Sequence, residues 1–233
     1  MRVNERPSPN HGPRPGPVDL LVLHYTGMRS AAEALERLCS AEARVSAHYL
    51  IAEDGAVWRL VDEDRRAWHA GVSSWRGRDD VNGASIGIEL VNPGHEFGYR
   101  RFPEAQMAAL EALCRDILAR HAIPARHVLG HSDVAPHRKQ DPGELFDWPR
   151  LARAGIGLWP TGAIAPRAVS LGEAQRLLAA IGYAVPRTGA SDAETVQVIA
   201  AFQRHFRPSC CDGALDAETA GRIVAVAALC GEI

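Results

Sequence analysis

The apolar residues of the first half of the chain fall into short runs that predict buried β-strands. Residues 19–26, DLLVLHYT, and residues 84–92, ASIGIELVN, are nearly continuous runs rich in β-forming side chains. Such runs are typical of strands that are covered on both faces of a sheet. A shorter run at 127–131, HVLGH, predicts a further strand.

Other segments show alternation or helical periodicity. Residues 46–61 alternate around Asp54-Gly55, which predicts an antiparallel hairpin. Ser30 with Glu33 forms a capping-box signature and predicts a helix. Pro103 opens a longer amphipathic helix that extends to about residue 121.

These elements predict an α+β fold with a central mixed β-sheet flanked by helices over residues 17–158. The Pro-rich residues 1–16 predict a flexible N-terminal arm. Residues 159–168, rich in Gly, Pro and Ala, predict a linker. Residues 169–233 contain three capped, amphipathic segments and predict a small three-helix domain.

Composition narrows the class of protein. The 233 residues are 46% hydrophobic and carry a net charge of -2, which gives no reason to expect nucleic acid or an anionic membrane as a partner. No apolar run approaches the roughly 20 residues of a membrane span. The N-terminus has no apolar signal segment, so we expect the protein in the cytoplasm, or in the periplasm if a leader has been removed. A monomer is the expected oligomeric state.

The segment His131–Trp148, HSDVAPHRKQDPGELFDW, concentrates side chains that bind metals or carry charge. Its two prolines predict an irregular loop instead of a helix. His24 and Glu89 end two of the predicted strands. Two imidazoles and a carboxylate form a ligand set suited to zinc, with a fourth position open to water, as in catalytic sites.

Hydrolysis at such a site also needs a base and a cation for the oxyanion. Glu89 is the candidate base; the alternative is that this carboxylate at the end of a strand forms a salt bridge. Lys139 is the candidate cation, although it also suits a solvated surface position. His137 is the alternative to His131 as a metal ligand.

Several ordered motifs resemble the zinc-dependent N-acetylmuramoyl-L-alanine amidases of the AmpD and AmiD type, whose fold is shared with peptidoglycan recognition proteins and phage T7 lysozyme. The motifs are LVLHYT, SAHYLI, WHAG, NGASIGIEL and HRKQDPGELFDW. The resemblance implies that His24, His131 and Asp141 hold Zn²⁺, that Glu89 activates water and that Lys139 stabilises the transition state. The C-terminal region is similar to a peptidoglycan-binding module.

Three more residues are candidates for substrate binding. The resemblance implies that His69 lines the substrate groove, although a structural role is the alternative. Asn82 is expected to hydrogen-bond the peptide stem or to cap a turn. Trp75 is expected to stack on a sugar or to close its loop.

The resemblance predicts cleavage of the lactyl–L-alanine amide of muropeptides, including the 1,6-anhydro form, in peptidoglycan recycling. Muropeptides or peptidoglycan fragments are therefore the expected partners. The alternatives are a lysin or envelope amidase that acts on intact peptidoglycan, and a non-catalytic peptidoglycan sensor on the same fold.

Overall fold

The computed structural model describes residues 2–232, which form two compact units. The first unit runs up to Gly71 and continues through Asp80–Leu129. The second contains Val72–Asp79 and continues from Gly130 onward. Met1 and Ile233, the outer ends of the predicted arm and of the predicted three-helix domain, lie outside the described residues.

The first unit is built on a mixed β-sheet. Its six strands are β1 (Val3–Glu5), β3 (Leu20–Tyr25), β4 (Tyr49–Ile51), β5 (Val57–Arg59), β7 (Ser85–Leu90) and β8 (Val128–Gly130). Their order is β1-β5-β4-β7-β3-β8; β4, β7 and β3 run parallel to one another, and β5 is antiparallel to β4. β2 (His11–Pro13) and β6 (Arg65–Ala67) form a separate antiparallel pair.

Helices connect these strands. They are α1 (Ala31–Leu38), α2 (Val81–Ala84), α3 (Gly94–Phe97) and α4 (Glu104–Arg120), with 3₁₀ turns at Ala41–Ala43 and Ala125–His127. The hydroxyl of Ser30 accepts the backbone N–H of Glu33, and the Glu33 carboxylate accepts the N–H of Arg29, so the predicted helix start is confirmed. The α+β class and the mixed sheet flanked by helices are confirmed as well.

The two long apolar runs form the centre of the sheet. β3 pairs with β7 over six residues, and Leu21, Val22 and Leu23 have no exposed surface. Burial of each such side chain stabilises the fold by roughly 1.5–3 kcal/mol. The continuous hydrophobicity of these strands therefore reflects their central position.

The prediction of a flexible arm at residues 1–16 was wrong. β1 pairs with β5, and β2 pairs with β6. Between them, Asn10 is buried and donates to the backbone carbonyls of Ser40 and Val45, and the Ser8 hydroxyl donates to the carbonyl of Leu38. These bonds satisfy the buried polar groups and fix the segment. Their partners lie about 30 residues away along the chain, so no local pattern signals them.

The second unit is helical. Its helices are α5 (His131–Val134), α6 (Trp148–Arg153), α7 (Leu171–Ile181), α8 (Ala193–Phe206) and α9 (Ala217–Leu229). The three predicted C-terminal helices are present, and the side chains of Ser170 and Asp216 cap α7 and α9. α8 is capped by Asp192, whose carboxylate accepts the N–H of Thr195.

The compact units do not follow the predicted boundary between residues 17–158 and 169–233. Gly130 onward, including α5 and α6, belongs to the same unit as the three C-terminal helices, because α5 contacts α8. Within residues 2–232, no helix combines the length and the apolar character that crossing a membrane would require.

A buried histidine makes the stability of the first unit sensitive to pH. His48 has no exposed surface, and its Nδ1 accepts the backbone N–H of Gly87 at 3.0 Å. Burial, followed by the positive charge of Arg14, lowers the pKa of His48 from 6.5 to about 3. The folded chain therefore keeps this imidazole neutral where an exposed histidine would be protonated.

We expect the free energy of unfolding to fall as the pH is lowered from 6.5 towards about 3. In this window the unfolded state binds one proton more than the folded state at His48, which removes about 1.4 kcal/mol for each pH unit. His48→Asn places an amide oxygen where Nδ1 accepts from Gly87, so the free energy of unfolding of this variant should depend less on pH. Urea unfolding of the metal-free unaltered and variant proteins across this pH window measures that free energy. The same change in unfolding free energy per pH unit in both proteins would contradict the expectation.

Candidate metal centre

Three predicted ligands come together in the structure. His24, His131 and Asp141 each offer one ligand atom, and these atoms lie within 4.8 Å of one another. All three residues are buried. Two imidazole nitrogens and a carboxylate oxygen are a donor set that zinc uses in hydrolytic enzymes, so the residues fit the metal that the sequence implies.

The two candidate histidine ligands lie at the ends of neighbouring strands. His24 lies near the end of β3, and His131 directly follows β8, which is the neighbour of β3 in the sheet. Adjacent strands lie about 4.8 Å apart. The backbone pairing of the sheet therefore sets the separation of the two ligands before any metal binds.

The loop after His131 folds back so that Asp141 lies beside it. The N–H of Ser132 donates to the carbonyl oxygen of Asp141 at 2.9 Å, and Asp141 Oδ2 lies 3.0 Å from His131 Nδ1. A Cβ atom on Gly130 would lie only 2.7 Å from Cδ of Pro142. Glycine before His131 therefore lets the end of this loop approach the strand.

A chain of hydrogen bonds determines which nitrogen of His24 is left to bind a cation. The Ser85 hydroxyl donates to the carbonyl of Val81 at 2.6 Å, so its oxygen accepts from His69 Nε2 at 3.1 Å. His69 Nδ1 is then unprotonated and accepts from His24 Nε2 at 3.0 Å. This assignment leaves the lone pair of His24 on Nδ1, where it is available to a cation.

His69 and Asn82 are held inside the fold. His69 is 9% exposed, and its ring lies over Gly87, where a Cβ atom would come within 2.5 Å of it. The side-chain oxygen of Asn82 accepts the backbone N–H groups of His69 and Ala70. These contacts favour the structural alternative for both residues: Asn82 fixes the loop, and His69 orients His24.

Trp75 is also enclosed. It is 3% exposed, its ring meets Tyr183 edge to face at 5.1 Å, and Gly182 lies directly against it. Stacking on a sugar requires an open ring face. The burial of Trp75 therefore favours the alternative that it closes its loop.

The candidate base lies beside the first ligand. Glu89 on β7 is in register with His24 on β3. Residues in register on paired strands project to the same face of a sheet, so the carboxylate and the imidazole share one face. Glu89 is partly buried.

The candidate cation and the alternative ligand lie on the loop. Lys139 is partly buried two residues before Asp141, and its backbone N–H donates to the carbonyl of Ala135. His137 is exposed, and its Nδ1 lies 2.7 Å from Oε1 of Gln197. His137 is thus engaged elsewhere and does not belong to the group formed by the three ligands.

Sequence reasoning missed two polar residues that support the ligands. Ser85 orients His69, and Asp133 is fully buried with its Oδ2 accepting the N–H of Gly130 at 2.7 Å. Ser85 could have been noticed as a polar residue at the start of a buried strand. Nothing local indicates that its partner is His69.

The chain matches a known protein family. The family profile of N-acetylmuramoyl-L-alanine amidases matches residues 14–144, and that of a peptidoglycan binding domain matches residues 168–223. Over 223 residues, the chain is 40% identical to the N-acetylmuramoyl-L-alanine amidase AmiD of Escherichia coli (strain K12). The aligned region covers 87% of this chain and 79% of AmiD.

One further relative and one solved structure are described by the substrate that they act on or contain. The chain is 46% identical over 118 residues to the 1,6-anhydro-N-acetylmuramyl-L-alanine amidase AmpD of Salmonella typhimurium (strain SL1344). The aligned region covers 51% of this chain and 60% of AmpD. The structure of AmiD from E. coli with the substrate anhydro-N-acetylmuramic acid-L-Ala-D-γ-Glu-L-Lys matches with a TM-score of 0.83 and 37% identity. This match covers 98% of this chain and 94% of that one.

We expect His69→Phe to weaken zinc binding by roughly 10–100-fold, the usual cost of losing the hydrogen-bond partner of a metal ligand. The variant keeps a ring over Gly87 but removes the acceptor for His24 Nε2. Competition with a fluorescent zinc chelator measures the affinity. His137→Phe is the matched control and should bind zinc as the unaltered chain does; a His69→Phe affinity equal to that of the control would refute the assigned role.

Proposed function

Because this chain belongs to the N-acetylmuramoyl-L-alanine amidase family, we propose that it hydrolyses the lactyl–L-alanine amide of muropeptides with zinc held by His24, His131 and Asp141. The buried group of two imidazoles and one carboxylate is the observation that carries this proposal. A sensor without catalysis is disfavoured because the complete ligand set is present.

The three ligands are prepared to hold a cation. Burial keeps bulk water away from them, and the bond from His24 to His69 fixes one imidazole in the tautomer that presents Nδ1. Zinc bound by such a set lowers the pKa of water towards neutrality and polarises a carbonyl oxygen.

Glu89 is the proposed general base. Its register with His24 places a carboxylate on the face of the sheet that carries the first ligand. From there it takes a proton from the attacking water and returns it to the leaving amine of L-alanine. A positioned carboxylate of this kind typically contributes about 10²–10⁴-fold to the rate.

Lys139 is the proposed oxyanion stabiliser. It lies on the same loop as His131 and Asp141, and its backbone is tied to Ala135. Attack on the amide places negative charge on the carbonyl oxygen, and an ammonium group nearby stabilises that charge in a partly buried site.

The proposed substrate is the soluble 1,6-anhydro-muropeptide, in peptidoglycan recycling. Two similarities support this choice. AmpD is described as a 1,6-anhydro-N-acetylmuramyl-L-alanine amidase, and the structure of AmiD contains an anhydro-muramyl tripeptide substrate. The second candidate is intact peptidoglycan, which is favoured by the match of residues 168–223 to a peptidoglycan binding domain.

We expect Glu89→Gln to retain zinc but to lose at least about 100-fold in kcat, since the amide cannot accept the proton of water. Elemental analysis and muropeptide hydrolysis measure the two properties. His131→Ala is the contrasting variant and should lose zinc together with activity. Turnover by Glu89→Gln at the unaltered rate would exclude Glu89 as the base.

The two substrates can be separated by mass spectrometry of the products released from purified anhydro-muropeptide and from intact sacculi. We expect free stem peptide from the muropeptide, and none once a chelator has removed the metal. Faster release from sacculi than from muropeptide would identify the wall as the substrate. Release of peptide from neither would refute the proposed activity.

A further inference from the structure

Asp133 lies two residues after the ligand His131 and has no exposed surface. Its Oδ2 accepts the N–H of Gly130, so the carboxylate closes a turn of backbone that contains His131. A buried carboxylate is costly unless hydrogen bonds satisfy both of its oxygens. The groups that donate hydrogen bonds to Asp133 therefore hold this turn in place.

Two of those partners come from the C-terminal region, one from the end of α7 and one from α8. The hydroxyl of Tyr183, which follows α7, donates to Asp133 Oδ1 at 2.6 Å. Burial, reinforced by the carboxylate itself, raises the pKa of Tyr183 well above its ordinary value, so the phenol keeps the proton that it donates. His205 on α8 contacts Asp133 Oδ2 through Nδ1 at 2.7 Å.

The ring of His205 is itself fixed by stacking. It lies parallel to Trp148 at 3.7 Å and to Phe206 at 3.9 Å. Trp148 begins α6, at the end of the loop that contains Asp141. One imidazole therefore contacts the start of this loop through Asp133 and its end through Trp148.

A further connection reaches the same turn. The N–H of Ser74 donates to the carbonyl of Val134, the last residue of α5. Two residues later, the N–H of Arg76 donates to the carbonyl of Gly182, and the Arg76 guanidinium donates to the carbonyl of Ala180. The segment around Trp75 thus links α5 to the end of α7.

We infer that Tyr183 and His205 are positioning residues of the metal centre, which through Asp133 hold His131 and Asp141 at the spacing that zinc binding needs. The inference rests on the metal centre proposed above. It gives the C-terminal helices a role in metal binding in addition to any contact with peptidoglycan. Metal sites need ligand distances within about 0.2 Å of ideal, so a small relaxation of this turn lowers affinity.

The test compares variants that separate the hydrogen bond from the stacking. Tyr183→Phe removes only the hydroxyl. His205→Phe keeps a flat ring between Trp148 and Phe206 but loses the donor, whereas His205→Asn keeps a donor near Nδ1 and loses the stacking. Zinc affinity is measured by chelator competition on the full-length chain, well below the unfolding temperature of each variant.

We expect Tyr183→Phe and His205→Phe each to weaken zinc binding by about tenfold, at the lower end of the range for residues that support metal ligands. His205→Asn should bind more tightly than His205→Phe. Gln197→Ala is the matched control: it removes an exposed contact between the same loop and α8, and should leave the affinity unchanged.

Lowered unfolding temperatures with zinc affinities equal to that of the control would overturn the inference, because the cluster would then only join the helices to the loop. Activity gives a second readout: at limiting zinc the Tyr183→Phe protein should have a lower kcat, which excess zinc restores, with KM unchanged. Zinc binding by the unaltered chain separates the two proposals. If that chain binds no zinc, the proposed metal centre fails as well; if it binds zinc and the variants bind equally well, this inference alone fails.

Discussion

Backbone pairing of β3 with β7 on one side and β8 on the other is the constraint on which the candidate site depends. It aligns His24 with Glu89 and brings the chain to His131 on the neighbouring strand. Hydrogen bonds keep adjacent strands about 4.8 Å apart, so the backbones that carry these groups have a fixed separation. The hydrophobic core stabilises these strands, and the strands position the candidate site residues.

Buried polar side chains support the candidate ligands. Ser85 and His69 orient His24, and Asp133 closes the turn that carries His131. Each of these groups makes hydrogen bonds that compensate for its burial, and such networks are strong in a low-dielectric interior. They also select one arrangement of the ligands, which is how a metal site acquires its geometry before the metal arrives.

Much of this architecture follows from local patterns, and the remainder does not. The strands, the Ser30 cap, the three C-terminal helices and the candidate ligands could be predicted because each leaves a signal within a few residues. The two N-terminal strands, the burial of Trp75 and the inward role of Asn82 could not, because their partners are distant in sequence. Gly87 is intermediate: glycine within a buried strand indicates a close approach, but only the structure shows that the approaching group is His69.

The short first strand also has a consequence for association. β1 lies at the outer edge of the sheet and occupies the hydrogen-bonding groups of β5. The open edge of this strand is only three residues long, so it offers few unpaired N–H and C=O groups to another molecule. The shortness of β1 therefore limits strand pairing at this edge of the sheet.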